Sequence, residues 1–366
     1  MRLALIFTAS LLLAQSDPEA LLKQAIALHQ AGNVADAIPV YEKYLAQRPD
    51  SPMALSNLGA AYARVARYND AIVQYRRALK LQPNPGVEMN LALAFYKSGQ
   101  IDEAAGTLEK VHRALPAELQ PTLLLADCWL NMGENKKVVQ LLGPVAEQRS
   151  DDLAIAYLLG TALIRDDQLT RGQTVIDRIL RNGNSAETWL LLGATKLQAG
   201  DNPAALTDLA KAVELNPKLP DAWSYYGQAL LRTGDPAGAT EAFRKALAAN
   251  PYDFTANLQF AVLLKDDEKI PEAVECLRRA AQIRPKDILV RYQFATIALH
   301  DGKMEEARRE LEAIAKDAPS FAEAHVTLAT VYYRLKLKTE GDRERAIVQK
   351  LTAEKQVRQQ QGINVK

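Results

Sequence analysis

Apolar side chains along this chain fall into paired segments of about a dozen residues, each spaced as one face of a helix and parted from its mate by a short break. Ala54 to Ala66 and Asn69 to Gln82 form one such pair, with Arg67 and Tyr68 at the break. Each pair predicts a helical hairpin. The hairpins keep phase: a glycine or alanine stands in the first segment at Ala25, Gly59, Ala92, Ala126, Gly160, Gly193, Gly227, Ala261, Ala295 and Ala329, always 33 or 34 residues from the last. A unit of this size cannot bury its apolar face alone, so the period predicts stacked hairpins in an all-α solenoid with no room for a second, catalytic domain.

The second segment carries its own small residue at Ala37, Ala71, Ala104, Ala205, Ala239, Ala273 and Ala307, which lets helix axes approach closely. Larger side chains follow at Tyr41, Tyr75, Leu108, Leu142, Phe243, Leu277 and Leu311, and are expected to fill the space between adjacent hairpins. Units end at Pro49, Pro83, Pro116, Pro217, Pro251, Pro285 and Pro319, which cannot continue a helix. Within hairpins, Gly32, Gly99, Gly133, Gly200, Gly234 and Gly302 fall at the break, where a left-handed residue closes the first helix.

One unit reads Trp223, Tyr226-Gly227, Leu230, Gly234, Ala239, Phe243, Ala246 and Pro251, and another Leu55, Leu58-Gly59, Tyr62, Ala71, Tyr75, Ala78 and Pro83. These resemble the tetratricopeptide repeat (TPR), and the resemblance runs through about ten units from Pro18 to Leu351. It implies a right-handed superhelical solenoid of antiparallel helical hairpins whose inner wall is built from the first helix of each. Two regions depart from the pattern. Val138 and Gly172 replace alanine, and Ser150 and Asn184 replace proline, in the middle; at the end, Gly341 replaces alanine and Arg345 a large apolar residue, as a solvent-facing cap does.

The resemblance places a set of side chains on a concave groove for a protein or peptide partner: Met53, Asn57, Arg64, Met89, Asn90, Leu93, Tyr96, Lys97, Leu123, Leu130, Tyr157, Ile164, Arg165, Leu190, Leu197, Leu231, Arg232, Leu258, Tyr292 and Tyr333. Apolar anchors edged by cations suit an extended or helical peptide of some acidic character. The Lys/Asn clamp that some TPR domains use for a C-terminal carboxylate is not assembled. An asparagine column of the long TPR kind is represented by Asn57 and Asn90, joined by Gln259 and Gln293.

Lys and Arg number 45 against 44 Asp and Glu, so no field points to nucleic acid. Four dispersed histidines, and Asp pairs in breaks such as Asp166-Asp167 and Asp266-Asp267, supply no metal constellation and no acid–base pair. No cofactor motif is present, and the chain reads as no enzyme. Cys128 and Cys276, several units apart, are expected as buried thiols.

Residues 1–16 have a basic start, an apolar run from Leu3 to Ala14 and small residues before Asp17, which reads as a secretory signal peptide. The run is short of the roughly 20 residues that span a bilayer, so the mature chain is expected to carry no stable membrane anchor and to lie in the periplasm or beyond. The organisation expected is thus a signal over 1–16, repeats over 17–351, a polar capping helix over 340–361 overlapping the last repeat, and a frayed tail over 362–366. Such a scaffold suits cell-envelope assembly or trafficking. The alternatives are a structural or oligomerising protein using its outer face and C-terminal helix, with self-association, and an accessory subunit of a polysaccharide-handling enzyme complex.

Overall fold

The computed structural model describes residues 17–180 and 185–360, so the expected signal segment and the tail at 362–366 lie outside the described residues. Twenty helices follow in tandem, with no strand among the described residues. The first six are α1 (Pro18–Gln30), α2 (Val34–Gln47), α3 (Pro52–Arg64), α4 (Tyr68–Leu81), α5 (Pro85–Lys97) and α6 (Ile101–Ala114). Then come α7 (Leu119–Met132), α8 (Asn135–Gln148), α9 (Leu153–Arg165), α10 (Leu169–Leu180), α11 (Ala186–Ala199), α12 (Asn202–Leu215), α13 (Ala222–Arg232) and α14 (Pro236–Ala249). The last are α15 (Phe254–Asp266), α16 (Ile270–Ile283), α17 (Ile288–His300), α18 (Met304–Asp317), α19 (Ala322–Arg334) and α20 (Lys338–Gln360). The chain divides into two compact units, one ending at Leu125 and one running from Ala126, with the boundary inside α7.

Each hairpin closes through one left-handed residue. Six of these are the glycines read from sequence, with φ between 76° and 88°. Ala66, Asp167, Glu268 and Lys336 take the same conformation at φ of 59° to 64° in the remaining hairpins that the structure marks this way, where sequence gives no glycine signal. The amide three residues past the helix end then reaches back five residues, as Asn33 does to the Leu28 carbonyl and Arg67 to the Tyr62 carbonyl, both at 2.9 Å.

Close approach inside a hairpin sets its core. A Cβ built on Gly193 lies 2.5 Å from Leu209 Cγ and 3.2 Å from the Ala205 carbonyl of α12; on Gly227 it lies 2.7 Å from the Phe243 ring of α14, and on Gly59 2.7 Å from the Tyr75 ring of α4. The large residues of the second helices thus seat on the first helix of their own hairpin, rather than serving only as fillers between neighbours. Tyr41, Tyr75, Phe243, Leu108 and Leu142 are among the most deeply buried side chains. Cys128 and Cys276 are buried and unpaired, and burial raises both thiols above their ordinary value.

Gly341 has a specific cause. A Cβ there lies 2.6 Å from the ring of Tyr333, so the missing side chain lets that tyrosine of α19 lie against α20. The Tyr333 hydroxyl donates to Asp342 at 2.8 Å, and His325 of α19 meets Glu344 at 2.6 Å. Arg345 is exposed, and from Thr352 to Val357 every residue of α20 is exposed. No helix among the described residues is long and apolar enough to cross a membrane.

Three glycine and alanine substitutions test this packing. Gly193→Ala is expected to lower stability by about 1–3 kcal/mol through overpacking. Gly106→Ala, in the interior of α6 with open space around its Cβ, should raise it by about 0.5–1 kcal/mol. Ala66→Gly should likewise raise it, by about 0.5–1 kcal/mol, by relieving the left-handed alanine. Denaturant midpoints followed by circular dichroism read all three.

Candidate functional site

The wall formed by the first helices differs between the two units. In the N-terminal unit, α3, α5 and the start of α7 present Met53, Asn57, Arg64, Met89, Asn90, Leu93, Tyr96, Lys97 and Leu123, all wholly or partly accessible. Met53 is 55% exposed, the largest value among exposed large apolar residues. It borders a recess of about 240 Å³ shared with Ser56, Asn57, Gln82, Asn84 and Val87. Asn84 is held in place because its side-chain oxygen caps α5, accepting from the Gly86 and Val87 amides at 2.9 and 3.2 Å. The Asn57 side chain bonds the Tyr41 hydroxyl, so this member of the asparagine column faces partly inward.

In the second unit six of the expected groove residues are buried: Leu130, Tyr157, Ile164, Leu190, Leu197 and Leu258. As open contact points these six are corrected to core. A polar cluster lies in this stretch and ties down Tyr157 and the Leu130 carbonyl. The Arg165 guanidinium donates to Asp221 at 3.1 Å and to the Tyr225 hydroxyl at 2.9 Å. The Tyr157 hydroxyl points at the Pro220 carbonyl and the same Asp221 carboxylate, at 3.2 and 3.3 Å. Arg284, at the end of α16, donates to the Asn131 carbonyl at 2.6 Å and the Leu130 carbonyl at 3.3 Å, and stacks 3.8 Å from the Phe254 ring centre. Its burial, and then the nearby Arg165 charge, lower the Arg284 guanidinium to about 10.

Asp221 shows what holds the cluster. It precedes α13 with φ of 62° and makes no side-chain cap bond, giving its carboxylate to Arg165 and Tyr157 instead. Beside it, Asp253 accepts the Ser224 hydroxyl and caps the Ala256 amide at 2.8 Å. Asp221, Ser224, Tyr225, Asp253 and Arg284 were not among the residues expected from sequence. The only signal they carried was position: Asp221, Ser224 and Tyr225 lie on or beside the first helix of their hairpin, in line with the wall residues of other units.

The arginines expected to edge the groove have a second role. Arg64, Arg165 and Arg232 each donate to a carbonyl 35 residues earlier, His29, Leu130 and Leu197, at 3.4, 3.4 and 2.8 Å. Those carbonyls lie in the last turn of the preceding first helix, where they also accept the amides of Gly32, Gly133 and Gly200 and where the negative dipole end favours a cation. Lys97 remains exposed beside the Tyr96 ring, at 5.9 Å. Leu231 and Tyr292 are partly accessible, Arg232 and Tyr333 exposed. The Tyr292 hydroxyl bonds Thr327 at 2.9 Å, and Lys265 donates to Gln293 at 2.7 Å, so this end of the wall is cross-tied between successive first helices.

Comparison with known proteins matches three family models, all described as tetratricopeptide repeat. They cover residues 5–52 and 190–254, residues 52–85, and residues 95–159, 230–292 and 264–331. The chain belongs to the tetratricopeptide repeat family. Among curated proteins, this TPR chain is 25% identical over 170 residues to anaphase-promoting complex subunit 7 of Homo sapiens and, to the same extent, of Mus musculus. The match takes in 46% of the chain and 30% of those relatives, so the chain spans under a third of their length. Its fold is similar to the crystal structure of the APC/C hetero-tetramer Cut9-Hcn1, with a TM-score of 0.58 and 14% identity over 92% of this chain and 81% of the other. Among the described residues, no group of His, Cys, Asp and Glu is arranged to hold a metal.

The cluster carries a pH signature. Burial, and then the Asp221 charge, raise the Asp253 carboxyl from 3.8 to about 6. Between those values the folded chain keeps a proton that the unfolded chain has released. Stability is therefore greatest below about pH 4 for this group and falls as pH rises through 6. Asp253→Asn keeps the cap and the Ser224 partner without the charge. It should flatten the unfolding midpoint between pH 4 and 6.5, removing a slope worth on the order of 1–3 kcal/mol; urea titrations across that range measure it.

Proposed function

We propose that this TPR chain is a non-catalytic scaffold that holds a protein or peptide segment on the open first-helix wall of its N-terminal unit. The observation that carries the reading is the asymmetry of the wall: Met53, Met89, Leu93, Tyr96 and Leu123 are accessible, whereas the corresponding stretch from Leu130 to Leu258 is largely sealed by side chains. A solvated strip of methionine, leucine and tyrosine suits a partner with apolar anchors, methionine adapting its shape to what it meets. Lys97 at its edge favours acidic residues in that partner. The human relative is, by its name, a subunit of a complex, in keeping with a scaffold.

The apolar run at residues 3–14 with its small-residue site before Asp17 supports export, and with it a role in the cell envelope. The partner is then met outside the cytoplasm, with no nucleic acid involved and no stable anchor left after cleavage.

Each apolar anchor contributes about 1.5–3 kcal/mol before ordering costs. The chain from Asp17, used as bait for crosslinking and capture from the native envelope, should yield a partner whose affinity falls at least tenfold when Met89, Leu93 and Tyr96 are changed to Ser. Leu197→Ser, on the sealed stretch, should lower the thermal midpoint by several degrees. Equal capture by parent and triple variant would move the binding face elsewhere.

A further inference from the structure

Among the described helices, one aspartate at a helix start does not serve its own helix. Asp17, Asp152, Asp201, Asp235, Asp253 and Asp287 stand ahead of α1, α9, α12, α14, α15 and α17 with negative φ, and each accepts an amide of the first turn. Asp221 stands ahead of α13 with φ of 62° and makes no such bond. Its carboxylate turns instead to Arg165 at 3.1 Å and the Tyr157 hydroxyl at 3.3 Å, 56 and 64 residues back on α9. The other residues that take a positive φ without being glycine, Ala66, Asp167, Glu268 and Lys336, close hairpins, whereas Asp221 lies between two of them. The exchange costs twice: the left-handed region is unfavourable for any side chain, and the first amides of α13 lose the acceptor an aspartate there supplies.

The partners gained lie across the array. The first helix between α9 and α13 is α11, so the tie skips a hairpin, whereas a solenoid is built on contacts between neighbours. A second tie skips further: Arg284, at the end of α16, donates to the Asn131 and Leu130 carbonyls of α7, 153 and 154 residues earlier. Bonds between non-neighbours form only when the small rotations at the junctions between them add up to bring their ends together, so both fix the curvature of the second unit. Their members have other bonds to fall back on. The Leu130 carbonyl also accepts the Gly133 amide and Arg165, and Arg165 also donates to the Tyr225 hydroxyl.

We propose that the second unit is a two-state clamp with Asp221 as its toggle. In the closed form, the one in this structure, the carboxylate holds Arg165 and Tyr157. In the open form Asp221 returns to negative φ, caps α13 as the six other aspartates cap their helices, and the hairpins from α9 to α13 uncurl. A bistable element needs two arrangements of the same residues, each with its own bonds, and Asp221 has both within reach. The strain and the missing cap of the closed form are relieved on opening, which offsets part of what the ion pair gains and narrows the gap between the two forms. The clamp does not depend on binding at the N-terminal wall.

Spin labels read the curvature by pulsed electron resonance. They are carried by Gln140→Cys on α8 and Ala248→Cys on α14, both exposed sites, in the whole chain with Cys128 and Cys276 changed to Ala. Arg165→Met removes the partner of Asp221 and should lengthen the mean distance by about 5 Å or more, as the junctions relax together. Asp221→Ser can still cap α13 but has no carboxylate for Arg165; it should lengthen the distance as much, and decides the matter should Arg165→Met fail to fold. The cap is read separately. In the Arg165→Met chain Asp221 has taken it, so Asp221→Ala should lower the melting temperature there by about 2 °C or more, while Asp221→Ser leaves it unchanged. A distance that does not lengthen in either folded variant, or an equal effect of Ala and Ser in the Arg165→Met chain, overturns the proposal.

Discussion

Two helices can share a hairpin at close range only where one of them offers no side chain, and that exclusion governs this molecule. At Gly193, Gly59 and Gly227 the space a Cβ needs is already taken by Leu209, Tyr75 and Phe243. The large residue of one helix and the absent residue of the other are a single feature, and interiors packed to crystal density leave little slack around it. Because a glycine or alanine returns at this place every 33 or 34 residues, so does the hairpin. The same logic read in reverse explains Gly341, which makes room for Tyr333.

The architecture was legible because it is periodic. Helix pairs, their breaks and six left-handed turns could be read from apolar spacing and glycine. Ala66, Asp167, Glu268 and Lys336 could not, since none advertises a positive φ; the closing bond of the turn imposes it. Accessibility of the wall was legible only in part. Periodicity states which residues share a face and is silent on depth. Tyr157 and Leu130 look like Tyr96 and Leu123 in sequence, yet they are covered by groups arriving from far along the chain, Asp221 and Arg284. The sealing therefore depends on long-range pairing, which a one-dimensional pattern does not encode.

Cations illustrate the same gap between type and use. Arg64, Arg165 and Arg232 fit an acidic partner by composition, but their guanidiniums are spent on carbonyls of the preceding first helix. Arg165 also satisfies Asp221 and Tyr225. A buried ionic cluster of this kind contributes little net stability over an apolar one, yet breaking one member strands the rest. It commits the polar side chains in the middle of the second unit to one another.

The arginine contacts also have a direction. In each, the later hairpin serves the earlier one, so the dependence runs one way along the chain. Cutting away a hairpin from the amino end leaves an idle guanidinium facing water, at small cost. Cutting one from the carboxyl end strips its predecessor of a side-chain cap and leaves those carbonyls only the backbone amide of their own turn. At these junctions the scaffold therefore tolerates shortening unequally from its two ends, and partial unfolding is biased to begin where a hairpin has lost its successor.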